Sequence, residues 1–198
     1  NRAVFVKFVI FTDGPEEIMA AVEPVEEGDL SRWVLAVDIE DIADVDDLNY
    51  TLIHEYAHVM TLDDSQVASG VTSESCDEYA LFEGCALPRA YLNAFYEKFW
   101  ADVFAELGVS SEDELTEDMM VDYYEENEDS FVTDYASTNP GEDIAESFTV
   151  FVLQPKPAGD TIAEQKVLFF YDYPELVRLR GDIASRLFSR MRRQAAGE

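Results

Sequence analysis

An α+β fold, mainly helical with a small N-terminal β-sheet, is what the sequence predicts. Three observations carry this expectation: Val- and Phe-rich runs confined to the first 38 residues, apolar stripes at helical spacing from residue 48 onward, and a hydrophobic content of 47% in 198 residues, enough for a full core. A single domain over 1–198 is expected, with the sheet and one buried helix in about 1–62 and a helical remainder in 63–198.

Ala3 to Thr12 reads as a strand, and after an acidic loop containing Gly28, Arg32 to Asp38 reads as a second. An Asp-rich loop over 38–47 leads into a mostly apolar helix from about Leu48 to Leu62, with Asp46 or Asp47 as its N-cap. Gln66 to Leu87 is polar and reads as irregular. From Arg89, the residues Leu92, Phe95, Tyr96, Phe99, Trp100, Val103 and Leu107 recur at helical spacing as a core-facing stripe. Ser111 with Glu114 has the form of a capping box, opening an acidic helix that ends near Asn127. Phe131 to Tyr135 reads as extended. Asn139 as N-cap with Pro140 at the first helical position starts a helix to about Leu153, stopped by Pro155 and Pro157. Two helices follow; the last opens at Pro174 and buries Leu176, Leu179, Ile183, Leu187 and Met191 on one face.

The balance of 43 acidic against 13 basic residues gives a formal charge of −30, which leaves no electrostatic footprint for nucleic acid or an anionic membrane. The one basic stretch, Arg178, Arg180, Arg186, Arg190, Arg192 and Arg193, reads as a solvated helix end favoured by the helix dipole. No run of 18 apolar residues exists, so no membrane insertion is expected. Asp38, Asp41, Asp44, Asp46 and Asp47 lack the spacing and glycine of an EF-hand, so a solvated acidic loop is preferred to a calcium site. Cys76 and Cys85, nine apart, suit one disulfide and hence an exported protein, with two buried free thiols as the alternative. Since Asn1 to Phe11 already reads as strand, a signal peptide is expected to have preceded it, and the protein to be secreted or at the cell surface.

The chemistry lies in His54-Glu55-Tyr56-Ala57-His58, the pattern H-E-x-x-H. Residues four apart share a helix face, so both imidazoles can meet one zinc ion, while Glu55 reaches a water in the fourth position. Zinc lowers the pKa of that water to about 7, and Glu55 is the expected general base. His54 and His58 are the only histidines, which excludes a three-imidazole site and requires a carboxylate or thiolate as third ligand. Asp64 stands at the offset where metzincins place their last ligand, but Thr61 occupies the position where that turn needs glycine. The helix opening at Asn139 offers Glu142, Asp143 and Glu146. Glu142 and Glu146 share a face, so Glu142 is expected on the metal and Glu146 behind a ligand histidine; Asp143 reads as a complement to the helix N-terminus.

The segment Tyr135-Ala136-Ser137-Thr138-Asn139-Pro140-Gly141-Glu142-Asp143-Ile144-Ala145-Glu146-Ser147-Phe148 resembles the second zinc-site segment of gluzincins related to the anthrax lethal factor catalytic domain and the clostridial Pro-Pro endopeptidases. The resemblance covers about residues 50–62 and 131–152. It implies a zincin-like fold and one catalytic Zn2+. It also implies that Tyr135, seven residues before Glu142, faces the metal and donates a hydrogen bond to the developing oxyanion.

The expected activity is hydrolysis of peptide bonds by a monomeric zinc endopeptidase acting on a peptide or protein substrate. The alternative is a zincin-fold binding protein without turnover, and an exopeptidase is a weaker option. The strand Trp33, Val34, Leu35, Ala36 and Val37 is the expected edge for pairing with an extended substrate, with basic or neutral peptides favoured over acidic ones.

Overall fold

Val and Phe alternation at the N-terminus builds a strand, and what it pairs with fixes the first layer. A computed structural model describes residues 4–14 and 18–196, the side chains of 188 and 190–196 excepted. Strands β1 (Phe5–Phe11), β2 (Ala20–Pro24) and β3 (Trp33–Asp38) form a sheet in the order β1-β3-β2, with β1 parallel and β2 antiparallel to β3. Sequence reading absorbed β2 into the acidic loop, because five residues ending in Glu23-Pro24 give too short an alternation to stand out. The predicted start of β1 at Ala3 lies outside the described residues.

Helix α1 (Val45–Leu62) follows, opened by Asp44, whose carboxylate accepts from the backbone N–H of Asp46 at 2.8 Å and of Asp47 at 3.3 Å. The cap is therefore Asp44 and not Asp46 or Asp47, the residues expected from sequence. They occupy the first turn, where acids complement the positive end of the helix dipole. Asp38 is not part of a solvated loop either: it is fully buried and accepts from the N–H of Asp13 and Glu40.

The stretch read as irregular contains a second antiparallel sheet, β4 (Val67–Ser69), β5 (Ala80–Leu81) and β6 (Gly84–Ala86), in the order β4-β6-β5. Strands of two or three residues carry no period-2 signal. Gly84 is required there, since a Cβ would run into the Ala68 carbonyl oxygen across the pair. Cys76 and Cys85 form a disulfide with a Cα–Cα distance of 5.5 Å, tying the incoming loop to β6.

The aromatic stripe is two helices, α2 (Tyr91–Phe99) and α3 (Ala101–Leu107), broken at Trp100. Ser111 and Glu114 frame only a 3-10 turn (Glu112–Glu114). Helix α4 (Glu117–Glu126) opens later, on Thr116, whose hydroxyl accepts from the Met119 N–H. Phe131 to Tyr135 is not a strand but a series of bends entering a 3-10 turn over Tyr135–Ser137.

Helix α5 (Pro140–Leu153) has Pro140 at its start and Asn139 as cap, the Asn139 side chain accepting from the Glu142 N–H at 2.9 Å. Ile144, Ala145, Phe148 and Phe151 are fully buried, so α5 runs through the core with α1 on one side and α6 (Ile162–Phe169) and α7 (Pro174–Ala196) on others. Asp143, expected to complement the helix start, does lie in the first turn, but it is fully buried and bound elsewhere: Lys166 Nζ lies 2.6 Å from its Oδ2 and Trp100 Nε1 donates to the same oxygen at 2.7 Å. Arg180, read as a solvated arginine, donates to the carbonyls of Phe151 and Gln154 and so satisfies the C-terminal end of α5. Leu176 is buried and Leu179, Ile183 and Leu187 are half-buried; Met191 and Arg190, Arg192 and Arg193 lie outside the described side chains. Among the described residues the fold is thus α+β, with seven α-helices and two three-stranded sheets, and no helix is long and apolar enough to cross a membrane.

Phe148 packs against Phe151 and Phe170 at the centre of this core, so Phe148→Ala should lower unfolding free energy by about 3–5 kcal/mol, read from denaturant titration.

Candidate metal centre

The local geometry of α1 puts His54 and His58 on one face, and the packing of α5 against α1 brings Glu142 to them. His54 Nε2 and His58 Nε2 lie 2.9 Å apart, and Glu142 Oε2 lies 3.1 Å from the first and 3.3 Å from the second. Metal bonds of about 2.0–2.1 Å in a tetrahedron separate ligand atoms by about 3.3–3.4 Å, so the three atoms fit a zinc-sized ion after an outward shift of a few tenths of an ångström. The donor set, two imidazoles and one carboxylate, suits zinc. Among the described residues this is the one group of histidines, cysteines and acids arranged to hold a metal. Asp64 lies exposed beyond the end of α1 and is not part of it, and both cysteines are taken by the disulfide.

Glu146, one turn along α5, reaches the far side of His54: its Oε1 lies 2.7 Å from Nδ1. A proton on Nδ1 donated to this carboxylate leaves the Nε2 lone pair directed at the metal position. Glu146 Oε2 accepts from the Tyr50 hydroxyl at 2.6 Å and the Thr133 hydroxyl at 2.8 Å. Neither partner was singled out from sequence. Tyr50 could have been, since it stands four residues before His54 on the same helix face; Thr133 carries no local signal. Burial alone would lower the His54 pKa, but Glu142 and Glu146 outweigh it and push it up to about 9, so that metal binding at Nε2 is coupled to loss of that nitrogen's proton. In the opposite sense, burial would raise Glu142, and the bonds from His54 and His58 hold it down to about 2.

Glu55 is buried beside the histidines, its carboxyl pushed up first by that burial, against the pull of His58 and His54. The backbone of Val22 on β2 draws it down in turn, as the weakest of these influences. The Tyr135 ring centroid lies 5.9 Å from that of His54, and the residue is 53% exposed, so it borders the site and faces solvent. Burial of its phenol group and then the charge of Glu142 push it up to about 12, so the hydroxyl keeps its proton as a donor at neutral pH.

Trp33 to Val37 does not offer a free edge: β3 is the central strand, paired with β1 on one side and β2 on the other. The edge strand packed against α1 is β2, the element missed in the sequence, and its Val22 backbone is near enough to the Glu55 carboxyl to influence it. On the opposite side, Tyr135 opens onto a groove of about 940 Å³ with an apolar lining from Leu115, Met120 and Tyr124 and acids at Glu112, Glu117 and Glu125. The disulfide-tied hairpin also approaches the site: Glu83, on the β5–β6 turn, is pushed up by burial and drawn back by the charge of His58. Residues 33–155 carry 30 acidic side chains and only Arg89 and Lys98 as bases, so the field around the cleft is strongly negative.

Compared with family models, curated proteins and solved structures, the chain matches none.

Glu142→Ala removes one atom of the candidate donor set, whereas Glu146→Ala removes only the support of His54. Zinc affinity, read by competition with a chromophoric chelator, should therefore fall furthest in Glu142→Ala, by about 10–100-fold in Glu146→Ala, and not at all in Asp64→Ala.

Proposed function

We propose that the protein is a zinc-dependent endopeptidase of the gluzincin type, in a zincin-like fold, acting on peptide or protein substrates outside the cytoplasm. The observation that carries this reading is the convergence of His54 Nε2, His58 Nε2 and Glu142 Oε2 within 3.3 Å of one another, with Glu55 buried beside them. The resemblance of Tyr135 to Phe148 to the second gluzincin segment supports it, and the Cys76–Cys85 disulfide supports an oxidising compartment.

Zinc held by His54, His58 and Glu142 supplies Lewis acidity toward a peptide carbonyl and eases the ionisation of water. The protein supplies the rest. Glu55, raised by burial, takes the proton of the attacking water and returns it to the leaving amine. The Tyr135 hydroxyl, still protonated at neutral pH, donates to the oxyanion that develops on the carbonyl. Glu146 keeps His54 in the tautomer that leaves Nε2 free. An extended peptide pairs along the open edge of β2, main chain to main chain, which sets its scissile bond against Glu55. The negative field favours basic or neutral peptides over acidic ones.

Cleavage of a mixed peptide library, read by mass spectrometry, tests the reading. Cuts should vanish with chelator. Glu55→Gln should keep zinc and lose turnover by about 10²-fold or more, and Tyr135→Phe by about 10²–10³-fold without loss of metal. Near-normal turnover in Glu55→Gln would remove it as base. A zinc-loaded protein that cuts nothing in the library would favour a binding protein.

A further inference from the structure

Behind Glu142, on the far side of α5, lies a charge that the peptidase chemistry does not use. Lys166, on α6, is 1% exposed and Asp143 is fully buried. Three groups from three elements converge on the Asp143 carboxylate: Lys166 Nζ at 2.6 Å from Oδ2, Trp100 Nε1 donating to Oδ2 at 2.7 Å, and Ser147 Oγ donating to Oδ1 at 3.3 Å. The Lys166 ammonium also sits 3.9 Å from the centroid of the Phe131 ring. Phe131 opens the segment that holds Thr133, donor to Glu146, and Tyr135.

One ammonium thus grips both parts of the site wall: α5 next to its ligand residue, and the segment carrying Thr133 and Tyr135. Resting on the reading of the site as a zinc centre, we propose that Lys166 is a positioning residue which, through Asp143 and Phe131, fixes the rotation of α5 and the seat of the 131–135 segment so that Glu142, Glu146 and Tyr135 meet the histidines.

Two physical arguments separate this from a plain structural role. A buried ion pair is a poor source of net stability, since apolar replacement of such pairs is often neutral or better. What the pair does supply is direction. Residues 142 and 143 are about 100° apart around the helix, so anchoring one sets the angle of the other. A slip of about 15° moves a carboxylate at about 6 Å from the axis by about 1.5 Å, several times the tolerance of about 0.2 Å in a metal bond. The α2–α3 break at Trp100 fits the same account, because it is where the indole N–H turns to Asp143.

The test compares the wild type with Lys166→Met and with the doubly neutral Lys166→Met/Asp143→Asn. Two readouts are needed: zinc affinity by chelator competition, and the thermal midpoint of the zinc-free proteins. Lys166→Met should lose both, because it leaves a buried carboxylate without its partner. The double variant should regain the midpoint but stay about 10–100-fold weaker in zinc, since the charge is balanced and the tether is gone. Recovery of zinc affinity to within about twofold of wild type, together with the midpoint, would reduce Lys166 to charge balance and overturn the proposal. If the double variant does not fold, Lys166→Arg gives the second reading, as it keeps the charges paired but changes how the cation meets Asp143 and Phe131. Zinc affinity lowered about threefold or more supports the proposal, and an unchanged affinity overturns it. A wild type that binds no zinc overturns the metal reading, and this proposal with it; a zinc-binding wild type matched by the double variant overturns this proposal alone.

Discussion

Everything at the candidate site depends on the contact between α1 and α5. Helix α1 offers two imidazoles on one face by its own geometry, but two imidazoles do not make a closed metal site. The third atom of the candidate donor set arrives from 84 residues further along the chain, and it arrives because α5 is buried on nearly every side and has few ways to move. Its apolar residues, Ile144, Ala145, Phe148 and Phe151, fill the core, while Glu142 and Glu146 occupy the strip left facing α1. Packing at this density converts a small rotation into a clash, which is the precision a metal site needs.

Such a strip is costly, since it buries two carboxylates and two imidazoles. The fold offsets much of that cost by pairing these groups with one another and with neighbouring hydroxyls. Glu146 receives His54, Tyr50 and Thr133; His54 is held between Glu142 and Glu146. Glu142 Oε2 is the oxygen that meets both histidine nitrogens, 3.1 Å from His54 Nε2 and 3.3 Å from His58 Nε2, and so faces the candidate metal position. On the reverse of the helix the same logic repeats with different groups, Lys166 and the Trp100 indole satisfying Asp143. Burial pushes that carboxyl up to about 6 against the attraction of the ammonium.

The second sheet and the disulfide have a separate role. Strands of two and three residues cannot hold themselves, and the Cys76–Cys85 bond closes the loop that leads into them. The hairpin so held carries Glu83 toward His58, adding to the negative field. A wall without compensating cations repels acidic chains and draws basic ones, which links the composition of the whole chain to the selectivity proposed for its cleft.

Local pattern alone disclosed the features that local physics controls. The H-E-x-x-H run within α1, the Asn139-Pro140 start of α5 and the Pro174 start of α7 are readable because helix periodicity, caps and proline geometry act within a few residues. Elements whose existence depends on a distant partner were not readable. β2 forms because β3 lies beside it, and β4 and β5 because each pairs with β6; the α2–α3 break falls at Trp100, whose indole donates to Asp143 on a distant helix. Sequence likewise proposed Trp33 to Val37 as an open edge, and only the order β1-β3-β2 decides that its edges are both occupied. What the sequence determined by itself was which residue types could carry metal chemistry and how His54, Glu55 and His58 share one helix turn. Sequence also named Glu142 and Glu146, from their shared helix face; tertiary structure decided that Glu142 stands 3.3 Å or less from both histidines, that Asp143 is locked to Lys166 instead, and which strand edge stays open, because each is a distance between segments remote in the chain.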